Sequence, residues 1–400
     1  MTTETNTTND EKRIYLDFAA ATPLNRSVYD AMEPYMLRIC ANAGALHADG
    51  EEAKKAIEEA RGQVAACVGG APSEIVFTSG GTEGNNLAIL GLYERLIAEG
   101  RSPSSLHMMH LSIEHSSVRD AMEALAKKGV AITEIPVDKS GVVDPQAVAN
   151  LVQDNTVLIS IMLVNSEVGT IQPLREIAEH IKSRRGTTLM PYLHTDASQA
   201  PVFVSCNVES LGVDMMTIDA QKMYGPKGVG FLYIRSGVTI APIMFGGTQE
   251  RGLRPGTPVT PLIVGLASSL MLAEAKRKER NEQFVPLKNR LIDGVLAVYP
   301  KAVLNGDRER RISGNVNISF VGIEGEYMMY ALSKRGIDAS TRSACLGKQK
   351  GGSYVIRAIA GGDDEALSAI RFSFGDGITM KDIDYTISAI SEIVSSVSHE

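Results

Sequence analysis

Between residues 74 and 234, short β-branched apolar segments alternate with longer stretches of three- and four-residue apolar spacing, and this alternation most narrows what the chain can fold into. The spacing predicts strands at Glu74–Thr78, Leu106–Leu111, Ala131–Pro136, Val157–Val164, Leu189–Thr195, Met215–Ile218 and Val229–Ile234. Helices are predicted near Thr82–Ala98, Ser116–Lys128, Pro145–Val152 and Leu174–Ser183. Seven strands separated by crossover helices make an α/β unit with a mainly parallel sheet covered on both faces, and such sheets hold their ligands at the carboxyl ends of the strands.

Three segments place chemistry at those strand ends. The run Thr217-Ile-Asp-Ala-Gln-Lys-Met-Tyr-Gly-Pro-Lys-Gly-Val-Gly230 continues an apolar strand pattern that gives way to Lys222 and then turns at Gly225, Pro226 and Gly228. An ammonium withdrawn from water loses its proton or needs a partner, and the free amine is the form that makes Schiff bases, so Lys222 is the candidate cofactor lysine. The segment Tyr192–Gln199 ends its apolar run in Asp196, an acid suited to a pyridinium nitrogen. The third segment, Ile75–Asn86, passes from a strand through Ser79-Gly-Gly-Thr82 into a helical pattern, offering backbone N–H groups to a phosphate. Lysine, ring acid and phosphate cradle together suit pyridoxal 5'-phosphate.

Outside this block, Ile14–Phe18 reads as a strand, and Ser27–Ile39 and Ala53–Val68 as amphipathic helices. A long helical pattern from Pro261 to about Tyr299, polar in its middle, connects to a second unit. That unit has strands at Asn315–Phe320 and Ala369–Phe374 and helices at Glu324–Arg335, Ser353–Ile359 and Lys381–Val397. Between Asp338 and Ser353 runs a glycine- and lysine-rich loop that contains Cys345, flanked by Arg342 and Lys348, whose charges favour a thiolate. Cys67 lies in an apolar helix pattern, and neither Cys40 nor Cys206 has a comparable setting.

With 400 residues and 44% hydrophobic content, the chain can bury a substantial core. A net charge of −7 and the absence of any long basic run argue against nucleic acid as the main partner. No segment supplies the roughly 18 uninterrupted apolar residues of a membrane span, residues 1–12 read as a disordered tail without a signal-peptide core, and the expected location is the cytoplasm. Four scattered cysteines without CxxC spacing predict reduced thiols and no zinc site.

In combination, these segments resemble the cysteine desulfurases of the class V aminotransferase family, the group I branch most of all. The likeness runs from Tyr15-Leu-Asp-Phe-Ala-Ala-Ala-Thr-Pro23 to Ile370-Arg-Phe-Ser-Phe-Gly375 and includes Glu114-His115, Val164-Asn-Ser-Glu-Val-Gly-Thr170, Glu250-Arg-Gly-Leu-Arg-Pro-Gly-Thr257 and Ser343-Ala-Cys345. It implies the type I fold of pyridoxal-phosphate-dependent transferases: a large domain over 13–262, whose N-terminal segment packs on the small domain, and a smaller α+β domain over 263–400 carrying the cysteine loop. It also implies Gly81, Thr82 and Thr257 on the phosphate, with Thr257 reaching across a homodimer. His115 would stack on the ring, Asp196 meet the ring nitrogen, Gln199 meet the ring hydroxyl, and Gln221 join the cofactor contacts. Lys222 would carry the cofactor and move the Cα proton. Asn42, Asn165 and Arg371 would hold the substrate, L-cysteine, and Cys345 would take its sulfur as a persulfide and release alanine. The implied acceptor is an iron–sulfur scaffold or a tRNA-thiolation protein.

Four positions depart from the family pattern. Asp219 stands where relatives place a phosphate-binding serine, Gln221 where they have histidine, Ser166 in place of a second asparagine, and Arg342 in place of a glycine. A carboxylate facing a phosphate is repulsive, so Asp219 is expected to turn away from the phosphate site toward a backbone N–H or a cation. Two other readings stand beside the desulfurase. One is another enzyme of this fold, such as a selenocysteine lyase or an epimerase; the other is a degenerate, non-enzymatic sulfur-relay scaffold.

Overall fold

The structure, a computed structural model, describes residues 13–182, 185, 190–341 and 352–397. Strand β1 (Ile14–Tyr15) stands outside the main sheet. That sheet is built from β2 (Ile75–Thr78), β3 (His107–Leu111), β4 (Ala131–Ile135), β5 (Thr156–Ser160), β6 (Tyr192–Asp196), β7 (Met215–Asp219) and β8 (Gly230–Ile234). Their spatial order is β2-β8-β7-β6-β5-β3-β4, and every pairing from β7 through to β4 is parallel. Only β8 runs antiparallel to its neighbours, because the turn of residues 220–229 is too short to cross over the sheet. All strands but the edge strand β4 are buried throughout, which is why they read as mainly apolar runs rather than strictly alternating ones, with a few buried polar residues such as His110 and His194.

Most predicted elements recur within a few residues, and the differences have local causes. The helix expected from Ala53 spans Ala48–Val68, because His47 caps it by accepting the Gly50 N–H on its ring Nδ1. The strand expected to reach Val164 ends at Ser160; the chain then continues irregularly, with the Ile161 and Leu163 N–H groups donating to the carbonyls of His194 and Asp196. The tail 1–12 and the termini Ser183 and Leu189 of two predicted elements lie outside the described residues.

After the main sheet, one long helix, Thr260–Val298, packs against helices Arg26–Leu37, Ala48–Val68 and Met380–Val397. A second sheet joins β9 (Ala302–Leu304), β10 (Asn315–Phe320) and β12 (Ala369–Ser373) antiparallel in the order β12-β10-β9. Strand β11 (Ile337–Asp338) pairs in parallel with β1. The N-terminal segment is therefore bound to the C-terminal part of the chain, and one contiguous apolar cluster runs from Ile14 through the main sheet to Val394. This connectivity carries Asp17 and the carbonyls of Ala19 and Ala20 to the carboxyl edge of the main sheet.

Candidate active site

Where β6 and β7 end, beside the start of helix Gly81–Ala98, lies a cavity of about 210 Å³. Lys222, Asp196, His115, Gln199, Gln221, Gly81 and Thr82 all line it, together with Ser166, Ser198, Asp219 and Arg371. Most of these residues, widely separated in sequence, meet here because they follow a strand or begin a helix at the same edge of the main sheet; Arg371 comes from β12 of the second sheet.

Lys222 closes a single 3-10 turn, Ala220–Lys222, that Asp219 caps. Its Nζ donates to the carbonyl oxygens of Ala20, at 2.6 Å, and Ala19, at 3.0 Å. Gln199 Nε2 donates to the same Ala19 carbonyl at 2.9 Å, so the N-terminal segment orients two cavity side chains at once.

Asp196 is held from two sides. Its Oδ1 accepts the Ser198 N–H at 2.9 Å and its Oδ2 accepts Asn85 Nδ2 at 2.7 Å. Asn85 Nδ2 also donates to Ser117 Oγ at 2.8 Å, and that hydroxyl lies 2.8 Å from His115 Nδ1. Because the Ser117 N–H also points at Nδ1, this nitrogen is an acceptor and a neutral His115 carries its proton on Nε2. Beneath Asp196, the buried His194 sits between Ser160 Oγ and Thr217 Oγ1. Burial pushes its imidazole below the usual range against the opposing pull of Asp196, so it serves as a neutral spacer.

Glu114 lies under the same edge, fully buried. Desolvation first, and the Asp196 charge second, push its carboxyl well above the ordinary range, which favours the neutral acid. Its Oε1 accepts the Met162 N–H at 2.6 Å and fixes the segment that leads to Ser166. Glu114→Gln should therefore change stability by less than about 1 kcal/mol, while Glu114→Ala should cost about 2–3 kcal/mol through the orphaned N–H and the cavity it opens; urea denaturation distinguishes the two.

Arg371 is buried in β12, yet its guanidinium reaches the cavity. Nη2 pairs with Asp17 at 2.6 Å, Nη1 donates to the Ser166 carbonyl at 3.0 Å, and Nε has no partner among the described residues. Asn165 does not line the cavity. Its amide donates to the Ile113 carbonyl and its Oδ1 accepts the Glu167 and Val168 N–H groups, so its polar atoms form the turn that presents Ser166 to the cavity. Asn42 is exposed, binds the Gly44 N–H, and does not line the cavity; Thr257 is likewise exposed and absent from the lining.

Asp219 departs from expectation most. It does bind backbone N–H groups, but one of them is that of Gly81, in the cradle itself, at 3.0 Å. Sequence reasoning assigned no role to Ser198, Asn85 or Asp17. Ser198 lay in plain view within the run Asp196–Gln199, whereas the Asp17 pairing with Arg371 has no local signal.

Cys345, with the rest of 342–351, lies outside the described residues. The chain on either side of that segment is held near the cavity. Ser340 exchanges backbone hydrogen bonds with Arg371, Ser353 Oγ donates to Glu167 Oε2, and the Tyr354 hydroxyl donates to the Glu114 carbonyl.

The sequence profile of the family described as Aminotransferase class-V matches residues 14–386, and the chain belongs to that family. Among its relatives, a cysteine desulfurase IscS of Methanosarcina thermophila is 40% identical over 98% of this chain and 94% of its own length. Another, from Dictyoglomus turgidum, is 38% identical over 97% of this chain and 96% of its own. A solved structure described as a NifS-like protein superposes with a TM-score of 0.87 at 34% identity, covering 96% of this chain and 99% of that one.

Proposed function

We propose that this protein is a cysteine desulfurase that uses pyridoxal 5'-phosphate to convert L-cysteine to L-alanine and passes the sulfur to a cysteine of its own. The observation that carries the reading is the convergence of the Lys222 amine, the Asp196 carboxylate and His115 on one cavity. The buried hydroxyl of Ser198, without a partner among the described residues, adds a donor at the helix start. These residues fit the ring of the cofactor; the phosphate end already holds a carboxylate. When bound, the cofactor supplies an electron sink for the substrate Cα.

The chain does the rest. Lys222 Nζ, oriented by two carbonyls, would hold the cofactor and move the Cα proton. Asp196, fixed by Asn85 and the Ser198 N–H, would pair with the ring nitrogen, and His115 would offer its ring face and a proton at Nε2. Gln199 and Gln221 contribute polar contacts, Gly81 and Thr82 flank the phosphate end, and the Arg371 fork, steadied by Asp17, takes the substrate carboxylate. The Cys345 thiolate forms an S–S bond to the substrate sulfur as the C–S bond breaks, and the carbon regains a proton to become alanine.

In this reading the enzyme is a cytoplasmic homodimer in which the exposed Thr257 serves the partner's site and Asn42 meets substrate from its loop. Residues 13–262 form the cofactor domain and 263–400 the smaller one, a division supported by the two larger of the three sheets, with the β1–β11 pair joining the N-terminal segment to the smaller domain. The sulfur acceptor is an iron–sulfur scaffold or a tRNA-thiolation protein. The test is alanine formation from L-cysteine by the purified, cofactor-loaded protein with a thiol acceptor present. One alanine per sulfur transferred is expected; no alanine above a cofactor-only blank would sink the proposal.

A further inference from the structure

Asp219 occupies the position an external anion would take. Gly80, at φ 147°, precedes helix Gly81–Ala98 and has no side chain with which to cap it. The missing cap comes from Asp219: Oδ2 accepts the Gly81 N–H at 3.0 Å and Gln221 Nε2 at 3.1 Å, and Oδ1 accepts the Gln221 N–H at 3.1 Å. The fit is close, since a Cβ on Gly80 would lie 3.2 Å from Oδ2. No ion pair to Asp219 exists among the described residues, and Arg254, near the same helix turn, is taken by Glu83 at 3.0 Å. Opposite, the buried Ser198 Oγ has no partner among the described residues and would lie 3.0 Å from a Cβ on Gly81, so it faces the same helix start.

The carboxylate thus already holds the first N–H of a helix start, that of Gly81, together with two donors of Gln221, and it lines the same cavity as Lys222 and Asp196. A phosphate dianion entering there must displace it or sit against it, and like charges about 4 Å apart repel strongly even when partly screened. The ring end carries no such penalty.

We propose that Asp219 is a specificity-determining residue for the phosphate end of the cofactor, an internal anion that weakens pyridoxal 5'-phosphate relative to its unphosphorylated form, pyridoxal, and makes the cofactor exchangeable. The proposal rests on the pyridoxal-phosphate reading of the cavity. Its test is equilibrium dialysis of the apo protein against pyridoxal 5'-phosphate and, separately, pyridoxal, for the wild type, Asp219→Asn and Asp219→Ser. Asparagine retains the Gly81 acceptor without the charge, and serine guards against a folding defect particular to one variant. Both substitutions should tighten pyridoxal 5'-phosphate by about 100-fold or more and move pyridoxal by less than about threefold. Equal effects on the two ligands, or no tightening of the phosphorylated one, would overturn the assignment while leaving the cofactor reading intact. If the wild type bound neither ligand, the cofactor reading and the assignment would fall together.

Discussion

Lys222→Ala should lower alanine formation from L-cysteine by roughly a thousandfold or more, to the level of free cofactor in solution. Among the described residues that line the cavity, Lys222 is the only primary amine; His115 can move a proton but cannot form a Schiff base, and the Arg371 guanidinium stays protonated and is tied to Asp17 and the Ser166 carbonyl. No neighbour can therefore take over both holding the cofactor and moving the Cα proton. The substitution removes two hydrogen bonds to the carbonyls of Ala19 and Ala20 from a half-buried side chain, whose vacated space adjoins an open cavity. The cost in stability should accordingly be small, within about 1–2 kcal/mol, and thermal unfolding of the apo protein measures it separately from activity. Turnover within tenfold of the wild type would mean that the lysine is structural and that the family's chemistry has been lost or moved.

Lys222, Asp196 and the Gly80-Gly81 turn were legible in the sequence for one physical reason. A parallel strand buried on both faces is mainly apolar, so the cluster of polar residues at the end of such a run marks the sheet edge where ligands bind. The same rule could not say which way a side chain points once the strand has ended. Asp219 shows the difficulty: its direction is decided by Gly81, 138 residues away in sequence, because the first helix turn of that segment lacks a cap of its own. Asn165 shows the converse, since a residue in a conspicuous motif is used up by its own turn. Strands β9 and β11 went unpredicted because a two- or three-residue pairing leaves no alternation to detect and is set by its partner strand. The pairing of β1 with β11 is nonetheless what brings the Ala19 and Ala20 carbonyls over Lys222.

Cys345→Ser should abolish persulfide formation and lower alanine formation by about 100-fold or more, while the protein still binds cofactor and L-cysteine. A serine hydroxyl is almost wholly protonated at neutral pH and is a poor nucleophile toward sulfur, whereas an ordinary thiol is already a few per cent thiolate. The described cysteines cannot replace it readily. Burial pushes the Cys206 thiol up to about 12, and burial with the nearby Glu274 charge raises that of Cys67, so both stay protonated. Cys40 alone among them is exposed, which makes Cys40→Ser the control: it should leave alanine formation within about twofold, as surface substitutions away from a site usually do. Mass spectrometry of the protein after L-cysteine treatment and alkylation reads the persulfide directly. If Cys345→Ser still released sulfide at close to the wild-type rate, sulfur would be leaving without an enzyme thiol, and a lyase would replace the desulfurase. If the persulfide appeared on Cys40 instead, the cavity assignment would stand and the nucleophile would have to be reassigned.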